Sequence, residues 1–197
     1  MASVTSSESY IFLAVIAVLT LVALIYLLSP MSLPDEPLVY LIGGNHAVQF
    51  ESQTFGESVH KKREAFKAHV AEVIDTLDLE ILAEEFSEDA KKVWRVNETV
   101  LEHLAKTKSI DYRPCDPTSS EKEGRGIEVD PRKETDSDRD KRRRFWLSKI
   151  ADCQDRRVLF VCGDKHYDSF AQLLETNGFN VQRGAHYDIS DEEFLDL

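Results

Sequence analysis

Short apolar runs alternate with amphipathic stretches along most of this chain. Runs of strand length occupy residues 38–42, 79–83, 109–115 and 158–162, and a further one ends at Val181. The stretches between them repeat apolar residues at helical spacing, over residues 58–77, 87–108, 145–151 and 166–176. Continuous apolar runs are typical of strands buried on both faces of a sheet. The alternation predicts an α/β fold with a mainly parallel sheet flanked by helices.

Two of the predicted strands are followed by the same motif, glycine, two residues and histidine. The first reads Gly-Gly-Asn-His at 43–46 and the second Gly-Asp-Lys-His at 163–166. We expect each glycine to provide a sharp bend. Ligands bind outside the carboxyl ends of the strands in such sheets. If the two strands are neighbours, His46 and His166 meet at one edge.

Acidic residues follow the other two strands that precede a predicted helix. Glu84 and Glu85 come after the second strand, and Asp116 follows the third. A carboxylate beside a buried strand must be paired, liganded or solvated, so we expect one of the two glutamates to face the site. Arg113 precedes Pro114 and is a candidate partner for Asp116 or for an anionic substrate.

These groups permit two kinds of chemistry. Two imidazoles with one or two carboxylates suit a divalent metal ion with an open position for water, which the metal would activate for attack on a carbonyl or phosphoryl centre. Without metal, the same groups can act as general acid and base, with Glu84 or Glu85 orienting a histidine. The chain has no G-x-S-x-G motif, and no GxGxxG motif or P-loop, which disfavours a serine hydrolase and a nucleotide-phosphate site.

The N-terminal region predicts a membrane anchor. After a tail at residues 1–9, a nearly unbroken apolar run at 10–28 is long enough to cross a bilayer as a helix. A cleaved signal peptide is the alternative, but no Lys or Arg precedes the run, which is long for a signal sequence. A proline-containing linker follows at 29–37, and the α/β domain spans 38–189. Three cysteines without paired spacing favour the cytoplasmic side for this single-pass membrane protein.

The distribution of charge argues against nucleic acid as a partner and distinguishes several charged segments. A formal net charge of -12 argues against nucleic-acid binding. Residues 118–140 are highly charged and predict a mobile loop. The basic run at 139–144 is interpreted as a solvated helix start, with anionic lipid headgroups or a substrate as the alternative contact. Residues 190–197 form an acidic tail.

The paired motifs at 43–46 and 163–166, together with the Glu-Glu pair after the second strand, resemble the superfamily of TraB/TIKI proteins, ChaN-like haem-binding proteins and erythromycin-esterase-like enzymes. The resemblance covers roughly residues 38–181. It implies His46 and His166 as metal ligands, with a glutamate after the second strand assisting. The chain departs from the family in two respects: its domain is short, and a charged segment lies between Asp116 and Phe145, where the family has helical structure.

The resulting hypothesis is a membrane-anchored, metal-dependent hydrolase of a peptide or ester, held to membrane lipid by the 10–28 helix. The metal ligands would be His46 and His166, and the other site residues are Glu84, Glu85, Asp116 and Arg113. Two alternatives stay open. One is a ChaN-like module that binds haem or another ligand without catalysis. The other is a membrane-tethered interaction protein.

Overall fold

Five parallel strands form one sheet in the computed structural model, which describes residues 37–50 and 56–189. The strands are β1 (Leu38–Gly44), β2 (Ile81–Glu84), β3 (Asp111–Pro114), β4 (Arg157–Cys162) and β5 (Val181–Tyr187). Their order across the sheet is β3-β2-β4-β1-β5. The α/β fold with a parallel sheet is therefore confirmed.

Helices cover both faces of this sheet. They are α1 (Glu57–Leu77), α2 (Glu88–Trp94), α3 (Val100–Lys108), α4 (Ser119–Gly124), α5 (Asp136–Ile150) and α6 (Tyr167–Thr176). Apolar residues of α1 and α3 form one core with one face of the sheet, and those of α5 and α6 form a second core with the other face. Burial on both faces explains why the central strands are continuously apolar.

The strand order places the predicted motifs at one carboxyl edge. β1 pairs directly with β4, with Gly43 opposite Cys162, so the two Gly-x-x-His segments leave the sheet side by side. β2 lies on the other side of β4. The Glu85 N–H donates to the carbonyl of Val161 at 2.8 Å, which continues this pairing one residue beyond β2. The end of β2 therefore reaches the same edge.

Two helical segments differ from the sequence prediction. The single helix expected over 87–108 is divided, because Arg95 takes a left-handed conformation (φ 53°) and Thr99 caps a new helix through its hydroxyl. The segment 118–140, predicted as a loop, holds α4 and the start of α5. Both begin with a capping box, at Thr118 with Glu121 and at Thr135 with Asp138. Polar side chains therefore cap two helices in a segment whose low apolar content predicted a loop.

Some predictions concern residues outside the described ranges. The tail at 1–9, the anchor at 10–28, nearly all of the linker at 29–37 and the acidic tail at 190–197 lie there. Between residues 37 and 189, leaving out 51–55, no helix combines the length and apolar character that a bilayer crossing requires.

Candidate functional site

Glu85 is the centre of the candidate site. Its side chain is 2% exposed and is held at both oxygens. The Gly163 backbone N–H donates to Oε2 at 2.7 Å, and Arg142 donates to Oε1 at 2.6 Å. Burial alone would raise the pKa of this carboxyl, but Arg142, the two histidines when they are protonated, and the Gly163 N–H reverse that effect, so the pKa lies below its usual value. Glu85 is therefore a buried, ionised carboxylate.

Both predicted histidines face this carboxylate. His46 lies in a short 3-10 helix after β1, and its Nε2 is 3.8 Å from Glu85 Oε1. His166 lies in the corresponding 3-10 helix after β4, with its Nε2 3.6 Å from the same oxygen. The His46 side chain is 36% exposed and that of His166 is 7% exposed. The two imidazoles thus share one carboxylate, and His46 is the one that solvent or a substrate reaches.

The motif glycines provide space rather than an unusual backbone. Gly163 has φ -60° and ψ 144°, which any residue adopts, so the predicted sharp bend is not its role. A Cβ there would lie 3.1 Å from Glu85 Oε2. A Cβ on Gly43 would lie 2.9 Å from both the Tyr167 and His186 rings. The missing side chains let the carboxylate and these rings approach the strand ends.

The Gly163→Ala variant tests this explanation. Its methyl group would crowd the Glu85 carboxylate, and we expect the free energy of unfolding to fall by about 1–3 kcal/mol. Gly124→Ala is the matched control, because a Cβ there meets nothing within 4 Å. It should leave stability unchanged or slightly increased, since alanine favours helix. Urea denaturation measures both. If the two variants were equally stable, the Glu85 carboxylate would not depend on the absence of a side chain at Gly163.

Arg142 links Glu85 to two more carboxylates. Its guanidinium donates to Asp116 Oδ1 at 2.8 Å and 2.9 Å and to Glu134 Oε1 at 2.8 Å. The Trp146 indole N–H also donates to Asp116, at 3.1 Å. Asp116 therefore reaches the site through Arg142 and through Trp146, whose ring packs edge-on against His166 with 4.9 Å between centroids. Sequence reasoning placed Arg142 in a solvated basic run; the signal it missed is that Arg142 precedes the buried Trp146 by four residues and so shares its helix face.

Arg143 fixes the proton on His166. Arginine is only a donor, and its Nη1 lies 3.4 Å from His166 Nδ1, so Nδ1 accepts and the proton of the neutral ring is on Nε2. That proton points toward Glu85. Burial is the main reason that the pKa of His166 lies below its usual value, and Arg142 and Arg143 add to this effect against the opposing influence of Glu85. His166 is therefore held neutral.

Glu84 and Arg113 lie apart from the histidines. Glu84 projects to the opposite face of the sheet, where the Thr99 hydroxyl and the Tyr112 hydroxyl donate to its Oε1, the latter at 2.6 Å. Arg113 pairs with Asp152 at 2.6 Å and with Asp111 at 3.2 Å. The structure thus brings together His46, His166 and Glu85 of the predicted residues, with Asp116 behind Arg142.

Glu84 predicts a measurable pH dependence of stability. Burial raises its pKa to about 7, from an ordinary value of 4.5, despite the Thr99 and Tyr112 hydrogen bonds. The folded state therefore holds this proton more tightly than the unfolded state. The stabilisation from the protonated Glu84 is complete below about pH 4.5 and is lost as pH rises to about 7. The free energy of unfolding then falls by an amount on the order of 3 kcal/mol.

The Glu84→Gln variant removes this dependence while keeping an acceptor for both hydroxyls. We expect its free energy of unfolding, relative to that of the wild type, to increase from pH 5 to about pH 7 and to level off above that. Urea denaturation at several pH values measures this difference. Parallel stability curves for the two proteins would show that Glu84 does not titrate in this range.

The fit to a metal ion is poor as these side chains are arranged. Glu85 Oε1, the oxygen nearest both imidazoles, already accepts from the cationic Arg142. His166 accepts from Arg143 at one nitrogen and carries its proton on the other. In the part of the chain that the structure describes, no three or more His, Cys, Asp or Glu side chains form a group that could hold a metal ion. A divalent metal bound by His46 and His166, or haem, stays a prediction.

A further histidine at this edge was not predicted to matter. His186, near the end of β5, lies opposite Gly43, and its Nδ1 is 2.6 Å from Asp164 Oδ1. Its ring packs on Tyr167 with 3.9 Å between centroids. The sequence gives no signal for this pair beyond the position of Asp164 inside the second motif.

Comparison with protein-family models, with curated proteins and with solved structures finds no match to this chain.

Proposed function

We propose that this chain is a hydrolase that cleaves an ester or a peptide bond by general acid–base catalysis at the carboxyl edge of its sheet. One observation carries the proposal: two imidazoles from different strands lie within 3.6–3.8 Å of a single oxygen of the buried Glu85. The resemblance of the two Gly-x-x-His motifs to the TraB/TIKI and erythromycin-esterase-like branches of that superfamily supports a hydrolase, although it implies metal ligation by His46 and His166; the ChaN-like branch supports the haem-binding alternative. An anchor at residues 10–28 would place this activity at a membrane.

His46 is the proposed general base. Its imidazole is the more exposed of the two. Because His46 Nδ1 is buried, Nε2 would take the proton from a water molecule bound beside it as that water attacks the substrate carbonyl. The Glu85 carboxylate at 3.8 Å stabilises the imidazolium that forms, because the charges are opposite and the carboxylate itself is buried. The protonated His46 then returns the proton to the leaving group, so the ring ends each cycle neutral.

The surrounding residues keep Glu85 ready for this role. Arg142, the Gly163 N–H and the Nε2–H of His166 all point toward the carboxylate. They hold it ionised and in one orientation before substrate binds. Such prearranged groups lower the barrier because they need no reorganisation during the reaction. Metal-dependent catalysis through His46 and His166 would instead require Arg142 and Arg143 to leave their present partners.

Hydrolysis assays of the purified full chain test the proposal. We expect turnover of 4-nitrophenyl acetate or of short peptides after exhaustive treatment with a chelator, and its loss in His46→Ala and His166→Ala. Activity that disappears with the chelator and returns with zinc would favour the metal-dependent version. No turnover of any substrate, together with a shifted visible spectrum on titration with haem, would contradict the proposal in favour of a haem-binding module.

A further inference from the structure

The connection after β4 runs over one face of the sheet, and the connections after its two neighbours run over the other. α6, which follows β4, packs on one face, whereas α1 and α3, which follow β1 and β2, pack on the opposite face. Parallel sheets bind ligands in the crevice that opens outside the carboxyl ends of strands whose connections separate in this way. Between β4 and β1, this crevice is bounded by the two Gly-x-x-His segments, residues 43–46 and 163–166. We call it the switch-point crevice.

His186 lies at the switch-point crevice and contacts both of its walls. β5 places it opposite Gly43, and its ring is so close to β1 that a Cβ on Gly43 would lie 2.9 Å from Nδ1. On the other wall, Asp164 Oδ1 is 2.6 Å from the same Nδ1. The Asn45 N–H donates to the carbonyl of Tyr187 at 2.9 Å, which holds this end of β5 against the first segment. A half-exposed imidazole is therefore fixed between the two segments.

The crevice also adjoins the candidate catalytic groups. The Gly163 N–H donates to Glu85, and the next residue along the chain is Asp164. One imidazole–carboxylate pair, that of His46, therefore lies on the β2 side of β4. The second pair, that of His186, lies on the β5 side. The two imidazoles flank the same crevice.

Asp164 decides which nitrogen of His186 is available to a ligand. A carboxylate only accepts hydrogen bonds, so the neutral ring carries its proton on Nδ1 and a lone pair on Nε2. Within residues 37–50 and 56–189, no group hydrogen-bonds to that Nε2. The His186 side chain is 44% exposed. Its Nε2 is therefore an acceptor that suits a ligand with an N–H or O–H group.

We infer that His186 is a specificity-determining residue, which accepts a hydrogen bond from an N–H or O–H group beside the scissile carbonyl of the substrate. This inference rests on the proposed function and adds the class of substrate, a carbonyl compound with such a donor, as in an N-acylamino ester or a 2-hydroxy ester. The carbonyl faces His46 and the donor faces His186. A substrate without the donor loses one hydrogen bond between neutral groups, which corresponds to about threefold to tenfold in affinity.

Two pairs of esters test the inference, because the members of each pair share the scissile bond. N-acetylalanine methyl ester and its N-methyl analogue differ in one N–H group, and methyl lactate and methyl 2-methoxypropionate differ in one O–H group. We expect the wild-type kcat/KM to favour the donor by about threefold to tenfold in at least one pair. The pair that shows this ratio identifies the kind of donor.

Variants of His186 attribute the ratio to its acceptor. His186→Phe keeps a ring against Tyr167 but has no acceptor, so the ratio should fall by the same factor. His186→Leu gives the same test if the phenylalanine variant fails to fold. The matched control is His103→Phe, the same change at an exposed histidine beside Glu98, and it should keep the wild-type ratio. A ratio that stays unchanged without the His186 imidazole would overturn the inference.

A binding measurement separates this inference from the proposed function. Calorimetric titration of the four esters into His46→Gln, in which hydrolysis is slowed, should show the same preference for the donor. The preference should disappear when His186→Phe is added. Such a preference without turnover of any ester by the wild type would contradict the hydrolase and leave the donor site. Turnover with equal kcat/KM within both pairs would contradict the donor site and leave the hydrolase.

Discussion

Replacing His46 by glutamine is expected to lower kcat/KM for ester hydrolysis by about 10²–10⁴-fold, the usual contribution of a general base. Glutamine keeps a polar group of similar reach but cannot take up a proton at neutral pH. The His46 side chain is 36% exposed, so the fold should tolerate the change. Steady-state kinetics of the purified full chain measure the loss, and circular dichroism confirms that the variant is folded.

The matched control for this variant is His103→Gln. His103 is an exposed histidine on α3 beside Glu98, with 3.4 Å between Nδ1 and Oε1. It resembles His46 in having a carboxylate neighbour but takes no part in the candidate site. We expect its kcat/KM to match that of the wild type. Equal activity of His46→Gln and His103→Gln would exclude His46 as the base.

Replacing Arg142 by methionine is expected to have the largest effect on stability. The substitution leaves Glu85 buried without its cationic partner, and removing one member of a buried ion pair costs about 3–5 kcal/mol. Asp116 and Glu134 lose the same partner. Urea denaturation should show the midpoint moving to much lower denaturant, and adding Glu85→Gln to the variant should restore part of the loss.

Arg144→Met provides the control on the same helix. Arg144 pairs with Asp140 at 2.9 Å, but both side chains are largely open to solvent. Exposed ion pairs contribute about 0–1 kcal/mol, so this variant should remain close to the wild type. If Arg142→Met were no less stable than Arg144→Met, the charge network around Glu85 would not support the fold as described.

The architecture could be predicted because the strands are buried on both faces. Continuous apolar runs such as Val158–Cys162 are typical of strands covered on both faces, and their alternation with amphipathic stretches predicts the α/β class. The strand order does not follow from it. The meeting of His46 and His166 required β1 and β4 to be neighbours, which depends on packing between distant segments.

The site was predicted only in part, for reasons of geometry and charge. Consecutive residues on a strand face opposite sides, so Glu84 and Glu85 had to separate, but nothing local decides which of them meets the histidines. Arg142 lies within a run of four basic residues, and only the three-dimensional packing distinguishes it from its exposed neighbour Arg144. Arg113 was a reasonable candidate beside Asp116, yet its side chain pairs with Asp152.

The central claim is that the His46 imidazole and the Glu85 carboxylate act together. The most direct test is a double-mutant cycle between these two residues, in which kcat/KM is measured for one ester substrate after removal of metal ions. Residues that act as one unit give losses that do not add. We expect His46→Gln combined with Glu85→Gln to be no slower than His46→Gln alone. Losses that multiply in the double variant, or full activity in either single variant, would contradict a shared role for the imidazole and the carboxylate.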